Sequence, residues 1–222
     1  MTNVFSTPGK VINRDKLFKA GLMTLEKEGW EVSRIKGAGK SSVRRITKDG
    51  KSKVASIRTT QNTWVAFPRN KSDTAWGTLE GADMVVAVSV DEKDSPRFAQ
   101  VHFVEGDEMR DRFDRAYAAR KAAGYKMPVG RGIWLSMYDL EAKNPVTLVG
   151  AGIGLDNPAV GRIPLSSIKA GERDAAEEAD DAEEAEGSAD ADEVPLTIAE
   201  AKRRLAVTFG VDPSAIKIIV EG

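Results

Sequence analysis

The stretch that decides the fold runs from Gly29 to Gln61 and reads GWEVSRIKGAGKSSVRRITKDGKSKVASIRTTQ. Alternating apolar and polar residues from Trp30 to Arg34 predict a half-buried strand, and the glycine-rich basic run that follows predicts a loop. Two further strands, Val43 to Thr47 and Lys53 to Thr59, flank Asp49-Gly50, a dipeptide that favours the tight turn of a β-hairpin. The stretch is therefore predicted to form a strand, a basic loop and a hairpin.

Helices are predicted on both sides of this stretch. The first runs from Arg14 to Glu28 with Asn13 as its N-cap, and Gly29 ends it in the left-handed conformation. The second runs from about Asp107 to Ala123. Further strands are predicted at Trp64–Phe67, Met84–Val90, Phe98–Val104, Gly132–Tyr138 and Pro145–Val149. The valine-rich run at Met84–Val90 is typical of a strand buried on both faces, and the order of elements indicates an α/β protein.

The charge is segregated along the chain, although the net charge is only −1. Residues 1–170 hold 28 basic and 19 acidic residues, and the first 72 residues alone hold 16 basic and five acidic ones. Residues 171–194 hold 12 acidic residues and one basic residue. The basic part either attracts a polyanion or presents a solvated basic face, and charge alone leaves both open.

The last 52 residues differ in composition from the rest. Residues 171–194 are rich in alanine and acids and lack aromatic residues, so we expect a disordered linker. That linker either competes with a polyanion for the basic face or serves as a solubilising spacer. Residues 195–222 predict one helix, with capping-box spacing from Thr197 to Glu200, and one strand. They are too few for an independent core, so we expect a small module for docking or dimerisation after a main domain at residues 1–170.

Several classes of site are excluded or disfavoured by composition. The chain has no cysteine, and His102 is its only histidine, which excludes a His/Cys zinc site and a Cys-His pair. We expect His102 to be an ordinary surface or hydrogen-bonded strand residue. No apolar run is long enough for a membrane span and no signal peptide is evident, so a cytoplasmic protein without membrane contact is expected. No cofactor and no catalytic residue are predicted.

The order of elements resembles the restriction-endonuclease-like (PD-(D/E)XK) fold, in particular its modification-dependent and Holliday-junction-type nucleases. Gly29-Trp30-Glu31-Val32 is similar to the Gly-aromatic-x-Val pattern that leads into the first strand of that branch. The resemblance covers about Arg14 to Ala123 and implies a mixed central sheet flanked by helices. The metal-binding Asp of the family falls on Ser42, Val43 or Arg44, depending on register. Its Glu/Gln-x-Lys reads Ser56-x-Arg58.

The resemblance therefore implies a nuclease-like protein that has lost its metal site but still binds DNA, since a cation at Arg44 or Arg58 would repel a divalent metal. We expect phosphate or base contacts from a group of basic and polar residues in the opening stretch. These are Arg34, Lys36, Lys40, Ser42, Arg44, Arg45, Lys48, Lys51, Lys53, Arg58, Thr60, Gln61 and Asn62.

Two alternatives stay open. One is a divergent metal-dependent nuclease that uses Asp49, Asp83 or Glu26. The other is a structural or adaptor protein whose basic face binds an acidic protein. For each of Trp64 and Trp76, packing in the core is favoured over stacking on a base.

Overall fold

The computed structural model describes residues 8–35, 42–70, 72–127, 132–169 and 217. The predicted acidic linker and, apart from Lys217, the predicted C-terminal module lie outside the described residues. The division of the chain into three parts therefore stays a prediction. A cytoplasmic location is a prediction as well. None of the helices in the described ranges combines the length and apolar character that crossing a membrane requires.

The described ranges contain three helices, eight strands and two short 3-10 turns. The helices are α1 (Pro8–Lys27), α2 (Gly106–Ala122) and the four-residue α3 (Ile153–Asp156). The strands are β1 (Glu31–Arg34), β2 (Val43–Lys48), β3 (Lys51–Thr60), β4 (Trp64–Pro68), β5 (Met84–Val90), β6 (Phe98–Glu105), β7 (Gly132–Ser136) and β8 (Gly161–Pro164). The 3-10 turns span Val146–Leu148 and Leu165–Ser167.

Six of the strands form one mixed sheet in the order β1-β2-β3-β5-β6-β8. Neighbours run antiparallel except β3 and β5, which run parallel. The other two described strands, β4 and β7, pair with each other in a small antiparallel sheet. The prediction of an α/β protein with a mixed central sheet is confirmed.

Two apolar layers enclose this sheet. On one face, Leu17 and Leu25 of α1 pack against Val86 and Val88 of β5. On the other face, Phe113 of α2 belongs to a second cluster that also holds residues of β4 and β7. Every residue of β5 is buried, which confirms the prediction of a strand covered on both faces.

The sequence predicted the C-terminus of α1 correctly and its N-terminus wrongly. Gly29 has a φ of 84°, and the Trp30 amide donates to the Leu25 carbonyl at 2.9 Å, as in a Schellman motif. The helix begins at Pro8, so the prediction of Asn13 as N-cap and Arg14 as first residue was wrong. Proline is well suited to the first helical position, because it lacks the amide hydrogen that would have no partner there and its φ is preset.

The hairpin forms as predicted. Asp49 and Gly50 have φ angles of 51° and 72°, the left-handed pair that a type I′ turn requires, and β2 pairs with β3 from Lys48 and Lys51 outward. The predicted strand at Pro145–Val149 was wrong, because these residues form a 3-10 turn. The Thr147 carbonyl in this turn accepts a hydrogen bond from the Arg120 side chain at 3.2 Å, where a carbonyl in a sheet would accept one from a neighbouring strand.

Candidate nucleic-acid interface

The register of β2 and β3 distributes the predicted contact residues over both faces of the sheet. Arg44 is paired with Ala55, and Val43 is paired with Ser56. Because paired residues share a face and successive residues alternate, Arg44 points toward α1 whereas Ser56 and Arg58 point toward α2. The cation–π contacts agree with this, since Arg44 lies 5.3 Å from the Phe18 ring of α1. Arg44, Ser56 and Arg58 therefore do not converge in one site.

The same register shows which of the three candidate positions for a metal-binding Asp lies opposite Ser56. Of Ser42, Val43 and Arg44, the residue opposite Ser56 is Val43, which has no ligand atom in its side chain. The buried Ser56 hydroxyl has no hydrogen-bond partner among the described residues. Nowhere in the described part of the chain do three His, Asp or Glu side chains gather closely enough to hold a metal ion.

The three carboxylates of the alternative nuclease are separated as well. Asp83 accepts a hydrogen bond from the Val54 amide at 2.7 Å, which fixes the start of β5 against β3. Asp49 lies in the hairpin turn, and Glu26 is exposed near the end of α1. The three carboxylates therefore lie in different elements, and no contact between them is seen in the described part of the chain.

Burial divides the predicted contact residues further. Two of them, Lys36 and Lys40, lie outside the described residues. Ser42, Arg44, Arg58 and Thr60 are buried, with exposed fractions of 5–7%. A bound polyanion could not touch these four without a rearrangement of the sheet. The exposed or half-exposed members are Arg34, Arg45, Lys48, Lys51, Lys53, Gln61 and Asn62.

Three of the accessible cations form a row on the face of the hairpin that α1 covers in part. We call Lys48, Lys51 and Lys53 the lysine row. Lys48 and Lys51 are directly opposite each other, and Lys53 follows two residues along β3. Lys48 Nζ donates to the Glu28 carbonyl at 2.7 Å, and Lys53 Nζ lies 3.4 Å from the exposed carboxylate of Glu105. Like charges that face each other across strands destabilise a sheet, so this arrangement costs the free protein some stability.

Arg45 stands on the reverse face of the hairpin. Its side chain is exposed and makes no ion pair with a carboxylate in the described ranges. Neither do Lys48 and Lys51. The accessible cations of β2 and β3 are thus largely without local counter-charge.

The polar side chains at the end of β3 form hydrogen bonds within the turn that follows. Thr60 Oγ1 donates to Asn62 Oδ1 at 2.7 Å, and Asn62 Oδ1 also accepts from the Trp64 amide at 3.3 Å. Trp76 is 1% exposed and its Nε1 donates to Asp114 Oδ1 at 2.7 Å, so the expectation of core packing is confirmed for this residue. Trp64 is half-buried.

The arginines of α2 differ from the lysine row in being held by several carbonyls or carboxylates, or in being buried. Arg110 donates to the carbonyls of Leu79 and Ala82 at 2.8 Å each. Arg120 donates to the Trp134 carbonyl at 2.6 Å. Arg112 and Arg115 are each bound by two carboxylates. These cations stabilise the fold.

A buried chain of hydrogen bonds surrounds the single histidine. His102 is 1% exposed. Its Nδ1 lies 2.7 Å from the Asn157 carbonyl and must be the donor there, because a carbonyl only accepts. Its Nε2 then accepts from the Tyr138 hydroxyl at 2.9 Å, and that hydroxyl also contacts Ser89 Oγ. The prediction of a hydrogen-bonded strand histidine is confirmed, and with Ser89 fully buried we assign this network a structural role.

This network predicts a pH dependence of folding stability. Burial lowers the pKa of His102 below its ordinary value of 6.5, against the opposing effect of the hydrogen bond to Asn157. Between its folded pKa and 6.5 the unfolded chain binds more protons, so the free energy of unfolding should fall as the pH drops from 7 toward 5. The slope should not exceed about 1.4 kcal/mol per pH unit.

Urea unfolding midpoints at pH 5, 6 and 7 measure this effect. His102→Gln, which removes the only imidazole, should abolish the pH dependence in this window. Carboxylates whose pKa is lowered, such as Asp91, lose their contribution only at lower pH. A wild-type midpoint that does not change between pH 7 and pH 5 would contradict the assignment.

Comparisons of the chain with protein-family models, with curated proteins and with solved structures found no match.

Proposed function

We propose that this protein binds DNA without cleaving it, through the lysine row and the cations beside it. The observation that carries the proposal is that Lys48 and Lys51 face each other across the hairpin and neither has a carboxylate partner in the described ranges. The phosphates of a polyanion supply the missing counter-charge and so relieve the repulsion between the lysines. Each lysine that neutralises a phosphate also releases a condensed counterion from the nucleic acid, which favours binding.

A nuclease-like scaffold that has lost its metal site is consistent with this proposal. The described chain runs from α1 through the antiparallel β1, β2 and β3, then through β4 of the small sheet, to the buried β5, which is parallel to β3, and through β6 to α2. This is the element order on which the resemblance to restriction-endonuclease-like proteins rests. The apolar Val43 and the Ser56-x-Arg58 pair give a divalent metal few ligands in that frame. A divergent nuclease is therefore less favoured than a binding protein.

The accessible members of the predicted contact set would act at the phosphates, and the buried members would hold the strands in place. Arg34 is exposed on the same face as the lysine row, opposite Arg44. Contacts to phosphates fix a protein on nucleic acid but carry no sequence information. We further propose that residues 195–222 recruit a protein partner or pair two copies of the chain.

Replacing Lys51 with glutamine tests the proposal on two quantities at once. The free energy of unfolding should rise by about 0.2–1 kcal/mol, because the variant removes one member of a like-charge pair. DNA affinity at 0.1 M salt should fall by up to roughly eightfold, the loss expected for one phosphate contact. Urea unfolding and fluorescence anisotropy with a labelled oligonucleotide measure the two effects.

The matched control is Lys93→Gln, which removes an exposed lysine in the loop between β5 and β6, at the end of the sheet away from the hairpin turn. It should change neither quantity appreciably. If Lys51→Gln left DNA affinity unchanged, the lysine row would not be the binding surface. If it lowered stability, the repulsion between Lys48 and Lys51 would be contradicted.

A further inference from the structure

We propose that the acidic segment Glu172–Glu186 competes with DNA for the lysine row of its own chain and so sets the DNA affinity of the protein. This inference rests on the proposed function, because it concerns regulation of the same surface. The segment holds nine carboxylates and one arginine within 15 residues. It is the densest negative charge in the sequence, and two of the three cations of the lysine row, Lys48 and Lys51, have no carboxylate partner within the described ranges, whereas Lys53 pairs with the exposed Glu105.

The described chain ends on the correct side of the sheet for this contact. Leu165 and Ile168 are buried in the apolar cluster on the α1 face. Lys16 Nζ donates to the Leu165 carbonyl at 2.9 Å, and Lys19 Nζ lies 3.4 Å from the Lys169 carbonyl. The described range 132–169 therefore ends beside the middle of α1, on the face toward which the lysine row points, and the acidic segment begins three residues later in the sequence.

The distance to be covered is short. Lys48 Nζ is bound to the Glu28 carbonyl at the end of α1. The nine residues from Lys19 to Glu28 correspond to about 14 Å along a helix axis. A segment of 15 residues spans about 22 Å as a helix and about 50 Å when extended. The first carboxylate comes only three residues after Lys169, so the segment is long enough to reach the lysine row either as a helix or as an extended chain.

The exposed charges along this route are positive on balance. Lys19 is exposed where the described range ends, and Lys27 is exposed near the end of α1, with the exposed carboxylate of Glu26 beside it. A group tethered this closely has an effective concentration in the millimolar range, so even weak ionic contacts compete measurably with a free ligand. Salt screens exposed charges over about 10 Å at 0.1 M, so the competition should weaken as salt is raised.

Acylation of lysines in the absence of DNA tests the contact itself. In the wild-type chain at low salt, Lys51 and Lys53 should react severalfold more slowly with a soluble acylating reagent than in a variant in which all nine carboxylates are replaced by Gln or Asn. Lys93 should react equally in both proteins, and 0.5 M salt should abolish the difference at Lys51. Mass spectrometry of the digested proteins gives the site-specific rates.

DNA affinity supplies the second arm of the experiment. The neutralised variant should bind a labelled duplex at least tenfold more tightly than the wild type at 0.05 M salt, with a smaller gap at high salt. A variant with the same segment residues in scrambled order should behave as the wild type, because charge and not sequence provides the contact.

The outcomes separate this inference from the proposed function. Equal acylation of Lys51 in the wild type and the neutralised variant would overturn the competition, even if the neutralised variant binds DNA more tightly through its changed net charge. Slow acylation of Lys51 in the wild type, with no DNA binding by any variant, would support the internal contact and overturn the proposed function.

Discussion

Replacing Arg112 with methionine should lower the free energy of unfolding by about 2–3 kcal/mol. Arg112 is buried, and its guanidinium joins α2 to the segment that contains α3. It donates to Glu108 Oε1 at 2.9 Å, to the Ala151 carbonyl at 2.7 Å and to Asp156 Oδ2 at 2.5 Å. Methionine fills similar space but leaves the buried carbonyl and two carboxylates without their shared donor. Because the side chains of Asp156 and Glu108 are 64% and 37% exposed, water can solvate both carboxylates, and the loss should stay below the roughly 3–5 kcal/mol expected when a fully buried ion pair is broken.

Arg115→Met is the matched control for this prediction. Arg115 lies on the same helix and also contacts two carboxylates, those of Asp111 and Glu141, but its side chain is 43% exposed. Ion pairs in such a position contribute less than about 1 kcal/mol. Urea unfolding of both variants measures the difference. Equal losses of stability would show that burial does not distinguish the two arginines.

Replacing all three residues of the lysine row with glutamine should weaken DNA binding by roughly 10²- to 10³-fold at 0.1 M salt. The estimate follows from the counterions that three phosphate contacts release. The folded state should survive, since the three side chains are exposed or half-exposed and their removal relieves repulsion. Anisotropy with labelled duplex DNA measures the affinity, and circular dichroism checks the fold.

The control for this variant removes the same net charge elsewhere. Lys93, Lys126 and Lys143 are exposed and lie outside the hairpin. Their triple replacement by glutamine should change DNA affinity by less than tenfold. A comparable loss in both triple variants would show that net charge, rather than the lysine row, determines binding.

Local chemistry made several features predictable from the sequence. The Asp49-Gly50 turn, the glycine that ends α1 and the valine-rich β5 each depend on a few neighbouring residues whose conformational preferences are strong. The segregation of charge was likewise visible, because composition requires no structure. These signals were sufficient for the α/β class and for the presence of a basic hairpin.

Long-range pairing was not predictable in the same way. Nothing in the run at β4 indicates that it leaves the main sheet to pair with β7, whose residues follow more than 60 positions later. The faces of Arg44, Ser56 and Arg58 depended on a register that one sequence does not determine, since a slip of one residue exchanges the two faces of a strand. The chain of Ser89, His102 and Tyr138 also joins residues from separate elements.

The cations were the easiest residues to find and the hardest to interpret. Sequence reasoning grouped Arg58 with Lys51, although the first is buried over the Phe67 ring at 4.5 Å and the second is exposed. The signal that separates them is burial, which follows from alternation along β3 once its pairing partners are known. The lysine row is what remains of the predicted contact set on the α1 face of the hairpin, together with Arg34.

A salt series on DNA binding by the wild type and the triple lysine-row variant tests the central claim most directly. For each phosphate contact, the logarithm of the association constant should fall with the logarithm of the salt concentration by about 0.9. The wild-type slope should therefore be steeper than that of the variant by up to about 2.7, and by less where the acidic segment competes. Absence of DNA binding at low salt, or equal slopes for the two proteins, would contradict the account.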